Sequence, residues 1–104
     1  MTTTIIVLFN LKAGAKVQDY EAWAKNTDMP TVRGLKSIGG FDVYKMTGLL
    51  MGEGKPPYQY CEIIQVKNMD DFGKDVSSDA IQKIAAQFQG FADNPKFIVT
   101  EKLG

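Results

Sequence analysis

Histidine is absent from this sequence of 104 residues, and cysteine, tryptophan and arginine occur once each, as Cys61, Trp23 and Arg33. Without histidine the chain cannot form a His-dependent catalytic triad, an imidazole metal site or a zinc-finger pattern. A single cysteine excludes an intrachain disulfide and is typical of a reducing compartment. Acid–base chemistry must therefore come from Asp, Glu, Tyr, Lys or the lone thiol, and we expect no metal site.

Net charge is missing too, because twelve Lys and Arg balance twelve Asp and Glu. This balance gives no electrostatic attraction for nucleic acid or for an anionic membrane, and neither is an expected partner. The GEGK motif at residues 52–55 is too short and precedes two prolines rather than a helix, which argues against nucleotide binding. The N-terminal MTTTIIVLFN lacks a positive leader, and its apolar run is too short to span a bilayer. We expect a cytoplasmic protein.

The composition, 44% hydrophobic and 23% charged, is typical of one globular domain, which we assign to residues 1–104. β-Branched and alternating runs indicate strands, and apolar residues at helical spacing indicate helices. Pro30 is expected to end the first helix at Thr27, and Gly90 to end the last helix in a left-handed conformation. The predicted elements are a strand at 4–11, a helix at 15–27, strands at 37–47 and 58–67 joined by a loop, a short helix at 69–76 capped by Asn68, a helix from Ser78 to Gly90, a turn at Asn94–Pro95, and a strand at 96–103.

This order, β-α-β-β-α-β, predicts an α+β ferredoxin-like sandwich with its helices on one face of an antiparallel sheet. The first strand is apolar on both of its faces, so a second copy of the chain is expected to cover the free face. Three consecutive apolar residues, Leu49, Leu50 and Met51, lie in the loop at residues 47–57 and indicate either a subunit contact or a flap over a pocket. We therefore predict a homodimer.

Asp28 and Arg33 are the first candidate functional residues. A helix that ends at Thr27 leaves Asp28 at its C-terminus, where the helix dipole favours the protonated acid. Arg33 carries a planar cation suited to holding an anion by two hydrogen bonds. A structural interpretation is equally open, in which Asp28 forms a turn before Pro30 and Arg33 pairs with it or covers the helix end.

Glu62 and a set of aromatic residues complete the candidate site. Glu62 lies among apolar neighbours in the third strand, where an anion is costly to bury without a donor. It either has a hydrogen-bonding partner, for instance a tyrosine, or a raised pKa that suits it to acid chemistry. Aromatic side chains at helical or strand spacing are usually core residues, but they also form stacking walls for aromatic ligands. The candidates for such a wall are Tyr20, Trp23, Tyr44, Tyr58 and Tyr60.

Two stretches carry a family resemblance. YEAWAKNTDMPTVRGLKSIGGFDVYK at residues 20–45 and YQYCEIIQVKNMDDF at residues 58–72 resemble the REDY-like family, small proteins associated with assembly of prodigiosin-type tripyrrole pigments. The length and element order resemble the wider dimeric α+β barrel superfamily, in which two ferredoxin-like subunits press their sheets together. Many relatives have a histidine two residues before a proline after the first helix. Asp28 stands at that position, so the resemblance implies an acid in place of an imidazole.

The resemblance implies a small-molecule cavity between helices and sheet, and secondary metabolism, such as antibiotic biosynthesis, as the setting. One hypothesis is a cofactor-independent enzyme that condenses, cyclises or dehydrates a pyrrole- or indole-like intermediate. Asp28 would then move the proton, Glu62 would be a second acid, and Arg33 would hold a carboxylate or developing oxyanion. A second hypothesis is a non-catalytic carrier for a hydrophobic intermediate, and a third is a purely structural dimer without a ligand-sized cavity.

Overall fold

The computed structural model describes residues 2–104, and its element order confirms the predicted α+β class. The first helical region is divided into three consecutive parts, of which the middle one is a π-helix. The elements are β1 (Thr3–Leu11), α1 (Val17–Trp23), the π-helical segment (Ala24–Asp28), α2 (Met29–Arg33), β2 (Ile38–Lys45), β3 (Tyr60–Val66), α3 (Met69–Val76), α4 (Asp79–Phe91) and β4 (Ala92–Thr100).

The four strands form one antiparallel sheet in the order β2-β3-β1-β4, which is the ferredoxin-like arrangement. The molecule measures 41 × 35 × 20 Å, and its short dimension equals about one sheet plus one layer of helices. Alternate residues of β1, namely Ile5, Val7 and Phe9, are buried beneath the helices. The core is built on this row because β1 is a central strand with helices over one of its faces.

Aromatic side chains join the helices to the sheet. The ring of Phe9 on β1 stacks on Tyr60 of β3, with the ring centroids 5.5 Å apart, and meets Phe88 of α4 edge-on at 4.9 Å. Tyr20 of α1 packs against both Phe9 and Tyr60. Such contacts stabilise a core beyond the area they bury. They fix α1 and α4 over β1 and β3, and thereby fix the space left between helices and sheet.

The opposite face of the sheet has no helix over it in residues 2–104. Register places Ile98, Ile6 and Ile63 side by side across β4, β1 and β3 on this face. Leu8 and Cys61 are paired in the next row. An apolar strip of this kind on a single sheet face is typical of a surface that packs against another layer.

The predicted end of the first helix at Thr27 is wrong. The backbone remains helical from α1 through the π-helical segment into α2, and Pro30 lies in the first turn of α2. Proline cannot donate to the carbonyl four residues earlier and its ring clashes with that carbonyl. A π-turn widens the helix at this point: the Met29 N–H bonds to the Ala24 carbonyl, five residues back. Asp28 is therefore inside a helix rather than at a C-terminus.

Two further boundaries differ from prediction. Gly90 does not adopt a left-handed conformation, and α4 continues to Phe91 and passes directly into β4. Asn94 and Pro95 do not precede the last strand but form a bulge inside it, with Asn94 at φ 45°. The bulge accommodates both residues, because Asn tolerates a left-handed backbone and proline avoids a ladder position that needs an N–H.

The predicted cap of α3 is confirmed, and the predicted ends of β2 and β3 differ from the structure by only one or two residues. Asn68 caps α3 by accepting a bond from the Asp71 N–H at 3.0 Å, as expected. Ser78 caps α4 in the same way, through the Ile81 N–H. Strands β2 and β3 are each shorter than predicted by a residue or more at both ends.

One buried hydrogen bond attaches α3 to the start of β2. The Ser37 hydroxyl, almost completely buried, donates to Asp75 Oδ2 at 2.6 Å, and the Ser37 carbonyl accepts from the Lys67 N–H at 2.7 Å. Asp75 thereby holds the inner face of α3, which carries Phe72 and Val76, close to the sheet.

We predict that Ser37→Ala lowers the free energy of unfolding by about 1–2 kcal/mol, because it removes the shorter of the two hydrogen bonds that the half-buried Asp75 carboxylate accepts from Ser37 and leaves only the 3.3 Å bond from the Ser37 N–H. Urea denaturation measures this change. The matched control is Ser77→Ala, which removes an exposed hydroxyl bonded to the Gly73 carbonyl and is expected to cost no more than about 0.5 kcal/mol. Equal losses for the two variants would contradict the role given to Ser37.

Candidate functional site

A cavity of about 240 Å³ lies between the sheet and the helices, and we call it the acid-lined cavity because Asp28 and Glu62 line it. Its walls come from α2 and the residues after it, from α3 and α4, and from β2, β3 and β4. Apart from Gln82 and two acids, all of the lining residues are apolar. They are Asp28, Val32, Leu35, Phe41, Glu62, Ile64, Phe72, Val76, Ile81, Gln82, Ile84, Ala85, Phe88 and Phe97.

Asp28 is the last residue of the π-helical segment and lines the cavity with only 4% of its surface exposed. Burial raises the pKa of its carboxyl to about 7, because the charged form loses its hydration there. The sequence prediction attributed a raised pKa to a helix C-terminus; the structure attributes it to desolvation. A π-turn at a functional position has many precedents in helices.

Glu62 is brought to the same cavity by β3. It lies between Val7 of β1 and Val43 of β2 in the sheet register, on the face that the helices cover, and is 5% exposed. The pKa of Glu62 is raised to about 8, mainly by burial and to a lesser extent by the negative charge of Asp28. The Tyr20 hydroxyl acts in the opposite direction. Nevertheless, Glu62 Oε2 forms no hydrogen bond of acceptable geometry.

The Tyr20 hydroxyl lies behind the two acids. It is fully buried and also lacks a hydrogen-bond partner. Burial is the main cause that raises the Tyr20 pKa, and the charges of Glu62 and Asp28 add to it. The phenol therefore stays protonated and keeps a donor available beside the acids.

Tyr60 belongs to a second, smaller cavity of about 140 Å³ next to the first. Its hydroxyl donates to Glu21 Oε2 at 2.6 Å, and the same oxygen lies 3.3 Å from Lys45 Nζ. Burial and this bond raise the Tyr60 pKa, while the Tyr60 hydroxyl and Lys45 lower the pKa of Glu21. Tyr20 lines this smaller cavity too, whereas it is not among the residues that line the larger one.

Arg33 is not near the acids. Its Nε donates to the Phe41 carbonyl at 2.9 Å and its guanidinium forms a half-exposed ion pair with Asp42 at 3.2 Å. The possible pair with Asp28 is therefore wrong: the partner is Asp42. The longer helix explains the difference, because it carries Arg33 one turn and more past Asp28 to the edge beside β2.

The remaining aromatic candidates lie outside the acid-lined cavity. Trp23 packs between Phe88 and Phe91, and its Nε1 donates to Gln87 at 2.8 Å. Tyr44 is 56% exposed and is paired with Cys61, on the face of the sheet without helices. Tyr58 is half-buried just before β3. The structure thus brings together Asp28, Glu62 and Tyr20 and disperses the others.

The phenylalanines that do form the aromatic wall were not among the candidates. They come from β2, α3, α4 and β4, and only tertiary packing brings them together. A signal was present for part of the set, because the strand alternation placed Phe41 opposite the exposed positions and the helical spacing placed Phe88 on the buried face of α4. The four are Phe41, Phe72, Phe88 and Phe97.

Residues 2–104 contain no group of three or more Cys, Asp or Glu side chains arranged to hold a metal ion. None of the helices formed by these residues is long and apolar enough to cross a membrane. What the cavity offers is two carboxyls with raised pKa values, and the buried Tyr20 phenol is close enough to interact with them. Near neutral pH such a pair includes an acid that can donate a proton and, at slightly higher pH, a base that can accept one.

Solved structures of other proteins share this fold. The crystal structure of HapK from Hahella chejuensis matches with a TM-score of 0.79 and 27% identity, over 98% of this chain and 93% of that chain. An ethyl tert-butyl ether d (ethd) family protein from Bacillus halodurans matches with a TM-score of 0.75 and 17% identity, over 99% and 100% of the two chains.

A Bacteroides fragilis protein of unknown function, described as dimeric and ferredoxin-like, matches with a TM-score of 0.64 and 16% identity, over 97% of this chain and 96% of that chain. No curated protein sequence matches significantly. The likeness to the Bacillus and Bacteroides proteins shows the fold alone.

A family model described as REDY-like protein HapK matches residues 3–103. The match spans nearly the whole chain and confirms the resemblance drawn from residues 20–45 and 58–72: the chain belongs to the REDY-like protein HapK family.

Proposed function

We propose that this protein is a cofactor-independent biosynthetic enzyme that binds a flat aromatic intermediate in the acid-lined cavity and moves protons on it with Asp28 and Glu62. The observation that carries the proposal is the burial of both carboxyls in one apolar cavity. Family membership supports a small-molecule role. The substrate class is a pyrrole- or indole-like intermediate of secondary metabolism, of the kind that leads to prodigiosin-type pigments.

The chemistry suits condensation, cyclisation or dehydration. Each of these reactions needs a proton delivered to a departing oxygen or to a carbonyl and another removed from carbon or nitrogen. A carboxyl with a pKa of about 7 or 8 is partly protonated at neutral pH and can serve as the acid. Once one carboxyl ionises, its charge holds the proton on the other, so the pair presents one base and one acid.

A carrier function is the second candidate. It is favoured by the low polarity of the walls, of which only Asp28, Glu62 and Gln82 carry polar side chains. Such a cavity can hold a hydrophobic molecule without changing it. An enzyme would convert the bound molecule into a product, whereas a carrier would bind it and release it unchanged.

We also propose that a second copy of the chain covers the strip formed by Ile98, Ile6 and Ile63 on the free face of the sheet. Two features support this proposal: Ile98 is 41% exposed although it is apolar, and Leu50 in the loop before β3 is completely exposed. The Bacteroides neighbour with the same fold is described as dimeric.

Turnover is tested with an extract of the native host from which this gene has been deleted. Purified wild-type protein is expected to convert an aromatic metabolite that accumulates in the extract, as followed by mass spectrometry. Asp28→Asn and Glu62→Gln are each expected to slow that conversion by about 10²-fold or more, the usual loss when general acid–base catalysis is removed.

Asp42→Asn is the matched control, because it removes a carboxylate from the exposed ion pair with Arg33 and leaves the cavity intact. We expect its rate to stay within about twofold of the wild type. A metabolite that co-purifies with wild-type protein and is never converted would identify a carrier. Full turnover by Asp28→Asn would contradict the acid–base role.

Stability should depend on pH in a direction that the two acids determine. Their pKa values, about 7 for Asp28 and about 8 for Glu62, exceed the ordinary values of 3.8 and 4.5 expected for the unfolded chain. The folded protein therefore binds more protons than the unfolded chain over the interval between them. The contribution of these two acids to the free energy of unfolding is complete below about pH 4 and is lost as pH rises to about 8, by up to several kcal/mol at about 1.4 kcal/mol per pKa unit.

Urea denaturation at pH 5, 6, 7, 8 and 9 measures this slope. Because the chain has no histidine, few other groups titrate between pH 5 and 8. Asp28→Asn is expected to make the decrease of the free energy of unfolding with pH less steep. Asp42→Asn is expected to leave this decrease unchanged. A wild-type stability that is constant or increases from pH 6 to 8 would show that the acids are ionised in the folded protein, contrary to the proposal.

The dimer is tested by light scattering on protein separated by gel filtration. We expect the wild type to elute as a dimer and Ile63→Glu to elute as a monomer, because the variant places a charge within the apolar strip. Ala86→Glu adds the same charge on the outer, exposed side of α4 and is expected to remain dimeric. A monomeric wild type would contradict the proposal.

A further inference from the structure

Among residues 2–104, the two carboxyls are the only acidic or basic groups that line the acid-lined cavity. The region around α2 contributes aliphatic side chains, β2 and β4 contribute Phe41 and Phe97, and α3 contributes Phe72 and Val76. Helix α4 contributes the neutral amide of Gln82. From α1, Tyr20 brings a hydroxyl toward Glu62. No lysine or arginine in the described part of the chain lines the cavity.

Glu62 is also short of donors. More than nine-tenths of the residue is buried, it lines the cavity, and its Oε2 has no hydrogen-bond partner. An unpartnered buried acceptor costs roughly 1–3 kcal/mol, and more when it is charged. A bound molecule with an N–H group directed at Glu62 would remove this cost, whereas a purely hydrocarbon ligand would leave it in place.

Two neighbouring cations, Arg33 and Lys45, are already paired with other groups. Arg33 holds Asp42 and the Phe41 carbonyl beside a separate depression at β2, and Lys45 holds Glu21 at the second cavity. A ligand carboxylate would therefore enter a cavity that already has two acids and no positive partner. This arrangement disfavours an acidic ligand and favours a basic one.

The volume of the acid-lined cavity limits the size of the ligand that it can bind. A dry apolar cavity of about 150 Å³ is enough to bind benzene. The 240 Å³ available here, with phenylalanine rings from four elements around it, suits a bicyclic aromatic body. The charge of Asp28 acts on Glu62, so one polar group of the ligand can lie near both acids while its aromatic body contacts the phenylalanines.

From this geometry we infer that the ligand is a flat aromatic molecule with a basic nitrogen, of the amine, amidine or imine class, and that this nitrogen binds against Glu62 and Asp28. The inference rests on the proposed function of the cavity and specifies the charge of its occupant. It reverses the expectation that the site holds a carboxylate through Arg33.

Proton balance follows from the protonation states. A ligand that arrives as a neutral imine takes the proton of a neutral carboxyl, so an N–H bond forms, an O–H bond breaks, and an ion pair results. A ligand that arrives as an ammonium causes a carboxyl to release its proton to solvent. In the second case binding becomes tighter as pH rises, by about tenfold per pH unit for each proton released, until the carboxyls are ionised in the free protein.

Three probes of matched shape test the inference on purified wild-type protein by calorimetry: tryptamine, 3-ethylindole and indole-3-propionate. At pH 8.5 we expect tryptamine to bind at least about tenfold more tightly than 3-ethylindole, as a buried charged hydrogen bond predicts. Indole-3-propionate is expected to bind most weakly. From pH 8 to 6 the tryptamine affinity is expected to fall about tenfold or more, while the 3-ethylindole affinity stays constant.

Glu62→Gln is expected to lose the preference for tryptamine and to keep its affinity for 3-ethylindole. Binding of 3-ethylindole also shows that the variant is folded. Asp42→Asn is expected to keep the wild-type ranking. Binding of 3-ethylindole with no preference for tryptamine, or with a preference for indole-3-propionate, would overturn this inference and leave the proposed function standing. Failure of all three probes to bind the wild type would overturn both, and the ranking on wild-type protein decides the matter even if Glu62→Gln does not fold.

Discussion

The desolvation of two carboxyls in one apolar cavity is the constraint on which the rest of this structure depends. Asp28 and Glu62 have no positive partner in the cavity lining, so burial stabilises their neutral forms near pH 7. The fold loses free energy whenever either acid ionises. Residues that weaken a fold in this way are typical of functional sites, where pKa values are matched to a chemical task.

Two local features bring the acids together. The π-helical segment continues the first helix past Pro30 and places Asp28 on its inner side, and the alternation of β3 places Glu62 on the helix-covered face. Tyr20, held by Phe9 and Tyr60, keeps a phenol beside them. The Ser37–Asp75 bond then fixes α3, whose apolar face closes one wall. Each of these contacts supports the cavity as well as the core.

Hydrophobic periodicity was enough to predict the element order and the ferredoxin-like class, because both depend on short-range patterns. Glu62 was visible as an acid within an apolar strand pattern, whereas Asp28 was singled out for a helix C-terminus at Thr27 that the structure does not have. The sequence did not reveal the π-turn, because proline ends a helix in most contexts and only the surrounding packing favours the wider turn here. Nor did it reveal the partner of Arg33 or the four phenylalanines of the cavity, whose contacts join residues far apart in the chain.

Carbon-13 NMR titration of the Asp28 and Glu62 carboxyls in wild-type protein tests the central claim most directly. The account predicts that both resonances shift with apparent pKa values well above 6, and that Asp28→Asn lowers the value observed for Glu62, because the repelling charge has been removed. Titration of both carboxyls near pH 4 would show that they are hydrated or paired in solution, and would contradict the account.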